Sequence, residues 1–405
     1  MMEHYLDELI KKSHNILLLQ GPIGSFFTDF SDWLITHNKI VFKLNFNAGD
    51  EQFYSNRRDN TFAYRDSVNN FEAYLLDFCQ KNQIDNILCF GDNRIYHKIA
   101  KQVSQRLNIV FWAFEEGYFR PEYITLEKWG VNAFSPLARD KQFFLNYAHL
   151  PEQPLPQKVA KGFKSMAKQA IPYYYKAYFK LSEYPNYKHH RILNVSYYIK
   201  LWAISGIKRL CYWLYDSGFA KRVERGELGE FFIVPLQVYD DTQVQVHSDY
   251  KSVELFLRKV LDSFVENAPK HLNLIIKHHP MDRGFIDYGL VIDEYIAKYP
   301  HLKNKIYYIH DVPMPVFLRY GKGMVTLNST SGLSGLLHDM PVKTLGRASY
   351  DFEGLTDQQS LDTFWSNPQP PDKTVFEGYR QYHLHKTHIN GSFYNKVILR
   401  YPYNQ

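Results

Sequence analysis

Strand-like and helix-like patterns alternate twice along this 405-residue chain, and that alternation decides the architecture. In the first series Asn15–Gln20, Lys39–Phe46, Asn86–Asp92 and Asn108–Glu115 are continuous apolar runs of strand length. Between them Ser25–His37, Ser67–Lys81 and Asn93–Leu107 carry apolar residues at helical spacing. Runs buried on both faces and separated by amphipathic helices predict a parallel sheet with helices on both sides. A second series begins near Glu230. Its strands are Phe231–Val238, Leu272–His278, Lys305–His310, Gly323–Asn328 and Pro341–Leu345, and its helices are Ser248–Asn267, Asp287–Lys298 and Ser331–His338. The fold class expected is therefore α/β, with two Rossmann-like domains facing a cleft, an arrangement that is GT-B-like as an analogy of fold alone. The expected boundaries are a first domain over 1–145, a helical insert over 146–228, a second domain over 229–360 and a tail over 361–405 that packs back on the first domain. The proline-rich Pro151–Pro156 marks the first break.

Charge singles out the insert. The chain carries a formal net charge of +6, yet Lys158–Arg222 alone carries 13 Lys/Arg against Glu183 and Asp216. That stretch is +11 and the remainder is −5. It also holds 15 aromatic residues, among them Tyr173-Tyr174-Tyr175, Tyr197-Tyr198, Trp202 and Trp213. Three surfaces suit such a composition: a solvated basic face, a face for anionic lipid headgroups, and a nucleic-acid groove. No run of about 18 uncharged apolar residues occurs, so no transmembrane helix is expected. The acidic residues near the start argue against a secretory signal. Cys79, Cys89 and Cys211 form no CxxC pair, which points away from disulfides and structural zinc and toward a reducing compartment.

Chemistry-bearing residues gather where strands would end, the place where doubly wound folds bind ligands. Gly21, Gly24 and Ser25 follow the first strand and lead into a helix, without the spacing of a dinucleotide or P-loop fingerprint. Glu115 and Glu116 leave the fourth strand, followed by Tyr118 and Arg120. Adjacent carboxylates in different surroundings can divide acid and base roles, and Arg120 can hold one ionised or grip an anion. After the first strand of the second series come Gln237, Asp240 and Asp241, carboxylates able to act at an electrophilic sugar carbon or to cap a turn. Lys277, His278, His279 and Arg283 crowd the next strand end as a phosphate cradle. Neighbouring histidines on an extended chain point apart, which disfavours a shared metal. Asn328, Ser329, Thr330 and Gly332 precede a helix and suit an anion, and Arg347 follows the next strand.

Four segments together, Glu115–Asn132, Pro235–Gln243, Lys277–Gly284 and Asn328–Asp351, resemble in content and order the capsular polysaccharide β-Kdo transferases of Gram-negative bacteria. Within that family the chain looks like the single-module member that starts the linker. The resemblance implies a retaining enzyme that moves Kdo from CMP-β-Kdo to a phosphatidylglycerol-type lipid, beginning the poly-Kdo linker of a capsule. It implies no cofactor and no metal, because a single phosphate can be met by cations and amides. The implied place is the cytoplasm, on the anionic inner face of the inner membrane. The implied partners are the dual-module Kdo transferase and the capsule exporter, with no nucleic acid. The family's Gln-x-x-x-Asp aspartate falls on Asp241, with Asp240 as second choice, and Glu116 or Glu115 handles the proton. The implied donor side is Gln237, Lys277, His279, Arg283, Asn328, Ser329, Thr330, Gly332 and Arg347, and the acceptor side Gly24, Ser25, Tyr118 and Arg120. The Glu-Glu-Gly and His-Pro elements also look like those of bacterial CMP-sialic-acid transferases. A non-enzymatic assembly or export component is the reading from another class.

Overall fold

The structure, a computed structural model, describes residues 2–159, 162–187 and 195–404. Of the basic stretch, 160–161, 188–194 and the side chains of Tyr197 and Tyr198 lie outside the described residues. The chain divides into two compact units, one made of Met1–Leu137, Pro151–Val195 and Gln381–Gln405, the other of Ala138–Leu150 and Ser196–Arg380.

The first unit is built on β1 (Asn15–Leu18), β2 (Ile40–Asn45), β3 (Thr61–Ala63), β4 (Asn86–Phe90), β5 (Val110–Glu116) and β6 (Tyr123–Lys128). The second holds β7 (Phe231–Pro235), β8 (Asn273–Lys277), β9 (Ile306–Ile309), β10 (Gly323–Thr326) and β11 (Val342–Thr344), and β12 (His388–Asn390) returns to the first. The two sheets run β12-β6-β5-β4-β1-β2-β3 and β11-β10-β7-β8-β9. The apolar strand runs have a simple cause. On β1 and β5 alternate residues enter two different cores, with Leu17, Phe111 and Ala113 on one face and Ile16, Leu18, Trp112 and Phe114 on the other.

Two expectations need correction. The first sheet is not parallel throughout: β5–β6 and β6–β12 are antiparallel. The cause is the turn after Glu116. The Gly117 amide donates to Tyr123 O at 2.9 Å, and a Cβ at Gly117 would come within 2.6 Å of the Tyr123 carbonyl carbon. Only glycine lets the chain reverse there. Nor is the stretch 146–228 one element. The helix Phe163–Phe179 belongs to the first unit, and the helix Val195–Tyr215, all but its first residue, to the second. Tyr173 ties the earlier helix down: its hydroxyl donates to Asp50 at 3.2 Å and accepts from Asn47 at 3.1 Å.

Candidate functional site

Both sheets reverse strand order once: β1 has β4 on one side and β2 on the other, and β7 has β10 and β8. In doubly wound sheets that reversal opens a crevice beyond the carboxyl ends of the two central strands.

In the first unit the crevice position lies after β1 and β4, with β5 alongside. Gly91, the residue after β4, has φ +67°, and the nearest atom to a Cβ placed there is Glu115 Oε2 at 3.7 Å. Glu115 shares its face of β5 with Phe111 and Ala113, so Glu116 points to the opposite face. That separates two carboxylates adjacent in sequence. Burial pushes the Glu115 carboxyl up to about 7, while the Glu116 amide it accepts at 2.9 Å pulls the other way. Glu116 is also raised by burial, and the Arg120 guanidinium opposes that rise. Arg120 itself is exposed, with its Nε donating to Gly117 O at 3.4 Å.

Three acceptor-side residues sit differently from expectation. Tyr118 is 3% exposed and its hydroxyl donates to Glu127 at 2.6 Å and accepts from the Asn132 amide at 3.0 Å. It braces the turn from inside rather than facing a ligand. Gly24, at φ +128°, is covered by the Gln169 side chain of the helix Phe163–Phe179. Ser25 precedes the helix Phe26–Thr36 and spends its hydroxyl on Asp29 at 3.0 Å.

Glu127, which no strand-end motif marks, is 2% exposed and accepts from Tyr118, Thr125 at 3.2 Å and Ser135 at 2.6 Å. Burial outweighs these bonds and pushes it up to about 7. The sign follows. A carboxyl raised from its unfolded value of 4.5 is protonated more readily in the folded chain, so folding stability falls as pH rises from about 4.5 to 7. Wild type should therefore lose about 3 kcal/mol across that window through this group, and Glu127→Gln should remove that slope. Urea unfolding of both proteins at pH 5 and pH 8 checks it.

In the second unit the ends of β7 and β10 are joined by a reciprocal amide pair. Gln237 Nε2 donates to Asn328 Oδ1 at 2.9 Å, and the Asn328 amide donates back to Gln237 Oε1 at 3.3 Å. Gln237 Nε2 also reaches Asp241 Oδ2 at 3.5 Å. Asp240 is exposed and Asp241 half-buried, so the amide pair holds Asp241 at the crevice. Asp282 approaches from the loop after β8. It is 1% exposed, accepts from the Tyr239 amide at 2.8 Å, and is pushed up to about 7 by burial, with Asp240 and Asp241 adding to the rise. A carboxyl that keeps its proton can sit beside a second carboxylate without like-charge repulsion.

The paired histidines separate cleanly. His278 is buried, with Nδ1 and the Tyr308 hydroxyl 2.7 Å apart, and burial lowers it to about 4. His279 is half-buried and caps the turn Pro280–Asp282 by accepting the Met281 amide at 3.2 Å. Lys277 Nζ donates to His310 O at 3.2 Å, and burial lowers it to about 8. Arg283 is ion-paired with Asp311, and both are largely buried, so its charge is already matched. Arg347 is exposed and binds Asp249 at 2.8 Å and Val246 O at 3.1 Å. Ser329 Oγ caps the Ser331 amide at 3.1 Å. Gly332 has a packing reason: a Cβ there would lie 2.8 Å from Tyr350 Cζ. Thr330 is the half-buried residue before the helix Ser331–Leu336 and makes no side-chain cap bond. The structure thus gathers Gln237, Asp241 and Asn328, with Asp282 added, and assigns Arg283, Arg347 and Gly332 prior partners.

Two doubly wound α/β units, each with polar residues collected at a strand-order reversal, define the class of the protein. The sequence profile described as capsule polysaccharide biosynthesis protein matches residues 85–394. The chain is 53% identical over 401 residues to the capsule polysaccharide modification protein LipB of Neisseria meningitidis serogroup A, covering 98% of this chain and 96% of that protein. It is 39% identical over 380 residues to the capsule polysaccharide export protein KpsS of Escherichia coli, covering 93% and 96%. The chain belongs to the capsule polysaccharide biosynthesis protein family. Among solved structures it is similar to a β-Kdo 2,7 transferase, KpsC of Thermosulfurimonas dismutans, at TM-score 0.36 and 15% identity, covering 91% of this chain and 99% of that one.

Proposed function

We propose that this protein is a glycosyltransferase that moves Kdo from CMP-β-Kdo to a phosphatidylglycerol-type lipid and so starts the poly-Kdo linker of a capsular polysaccharide. The observation that carries the reading is the Gln237–Asn328 pair at the β7/β10 reversal, with Asp241 against Gln237 and near Asp282 of the loop that follows Lys277 and His279. A carboxylate there can stabilise or attack an oxocarbenium-like ketose centre. Lys277 and His279, with Ser329 and Thr330, meet the single phosphate of the sugar donor. On the other unit Glu115 takes the proton of the acceptor hydroxyl, and Glu116 and Arg120 shape its charge. The protein needs no cofactor in this reading, and it works at the anionic inner face of the inner membrane with the other capsule-assembly proteins.

Calorimetric titration with CMP, and with UDP for contrast, tests the donor side. CMP should bind and UDP should bind more weakly. His279→Ala should weaken CMP by about 1.5–3 kcal/mol, the loss of one charge-assisted contact. No heat with CMP, or an affinity untouched by the substitution, removes the His279 loop from the donor site.

A further inference from the structure

The helix Val195–Tyr215 keeps an apolar face turned to solvent. Trp202, Ile207, Leu210, Trp213 and Leu214 are between 45% and 67% exposed. At 3.6 residues per turn they occupy one arc of about 140°. The exposed cations Lys200 and Arg209 flank that arc on its two sides, and no acidic side chain falls between residues 200 and 215.

On the opposite side of the same helix Leu201 and Tyr212 are packed against the unit. Tyr212 stacks on His310 with ring centroids 3.6 Å apart, and its hydroxyl donates to Asp287 at 3.4 Å. Leu201 is buried, and its carbonyl sits so close over Gly284 that a Cβ there would lie 2.6 Å away. The orientation of the helix is therefore fixed by its inner side, and the outward apolar arc is not a core face awaiting its own unit. No helix among the described residues is long and apolar enough to cross a membrane. A helix with two tryptophans, branched aliphatics and a cationic rim suits the plane of an anionic bilayer surface.

We infer that Trp202, Ile207, Leu210, Trp213 and Leu214 enter the headgroup region of an anionic bilayer, with Lys200 and Arg209 on lipid phosphates. Because the inner side of this helix covers Gly284 and His310, docking brings the loop after β8 up to the membrane surface. The inference deepens the lipid-acceptor reading and shares its partner, but its test involves no sugar transfer.

The test is flotation of the full chain with phosphatidylglycerol/phosphatidylcholine vesicles and with phosphatidylcholine alone, at low and high salt. Wild type should float with the anionic vesicles and release as salt rises. Lys200→Glu/Arg209→Glu should weaken partitioning at least about tenfold. Trp202→Ser/Leu210→Ser/Trp213→Ser should weaken it about a hundredfold, with unchanged circular dichroism. Equal flotation of wild type and variants, or none by wild type, overturns the inference. So does a wild-type dimer that the triple variant converts to monomer, since the face would then belong to a second copy. Lost flotation with transfer to a water-soluble acceptor intact separates the docking role from the transferase reading. Intact flotation with no transfer to any acceptor retires that reading and leaves the docking surface standing.

Discussion

Asp241→Ala is expected to lower Kdo transfer by about 10³-fold or more while the protein stays folded. The carboxylate sits where the sheet order reverses, 3.5 Å from the Gln237 amide that itself bridges to Asn328. That placement costs the fold little to lose. Asp241 is half-buried, and the turn it starts is held by its backbone, with the Asp241 amide on Val238 O and the Val244 amide on Asp241 O, each at 3.0 Å. An alanine keeps both bonds, so circular dichroism and CMP affinity should match wild type. Asp240→Ala should leave turnover nearly unchanged, because its side chain is exposed whereas Asp241 is half-buried beside the Gln237 amide. Normal turnover by Asp241→Ala, or a larger loss in Asp240→Ala, contradicts the assignment.

Glu115→Gln is expected to lower transfer about 10²–10⁴-fold, the usual worth of a general base. Burial lifts this carboxyl to about 7, so wild-type rate should climb with pH through about 7 as the base ionises. The glutamine variant should lose that inflection. Glu116→Gln should do less, since its side chain leaves the opposite face of β5. A pH–rate profile unchanged in Glu115→Gln would assign the proton transfer to another group.

Much of this architecture is legible in the sequence for a physical reason. Strands buried on both faces must be apolar without interruption, and Ile16–Leu18 or Ile275–Ile276 announce themselves that way. β6 and β12 are harder to see. Tyr123–Lys128 buries Thr125 and Glu127 on the face opposite Ile124 and Leu126, so it is not a continuous apolar run, and β12 is three residues long and meets β6 from the far end of the chain. At the proposed site, strand-end position singles out Gln237, Asp241 and Asn328, which the structure brings together. It does not reveal who is already paired. Arg283 reads as a free cation until Asp311 is seen beside it, and Tyr118 as a surface aromatic until Glu127 takes its hydroxyl. Asp282 was hidden among cations. Its only sequence signal is an acid two residues after the Pro of the His-Pro pair.

The most direct measurement is the mass of the product formed when the purified protein meets a fluorescent phosphatidylglycerol-type acceptor with CMP-Kdo, and separately with CMP-sialic acid. The account predicts one added Kdo residue with the first, none with the second, and none from Asp241→Ala. Transfer of sialic acid, or an unmodified acceptor with both nucleotide sugars, would contradict it.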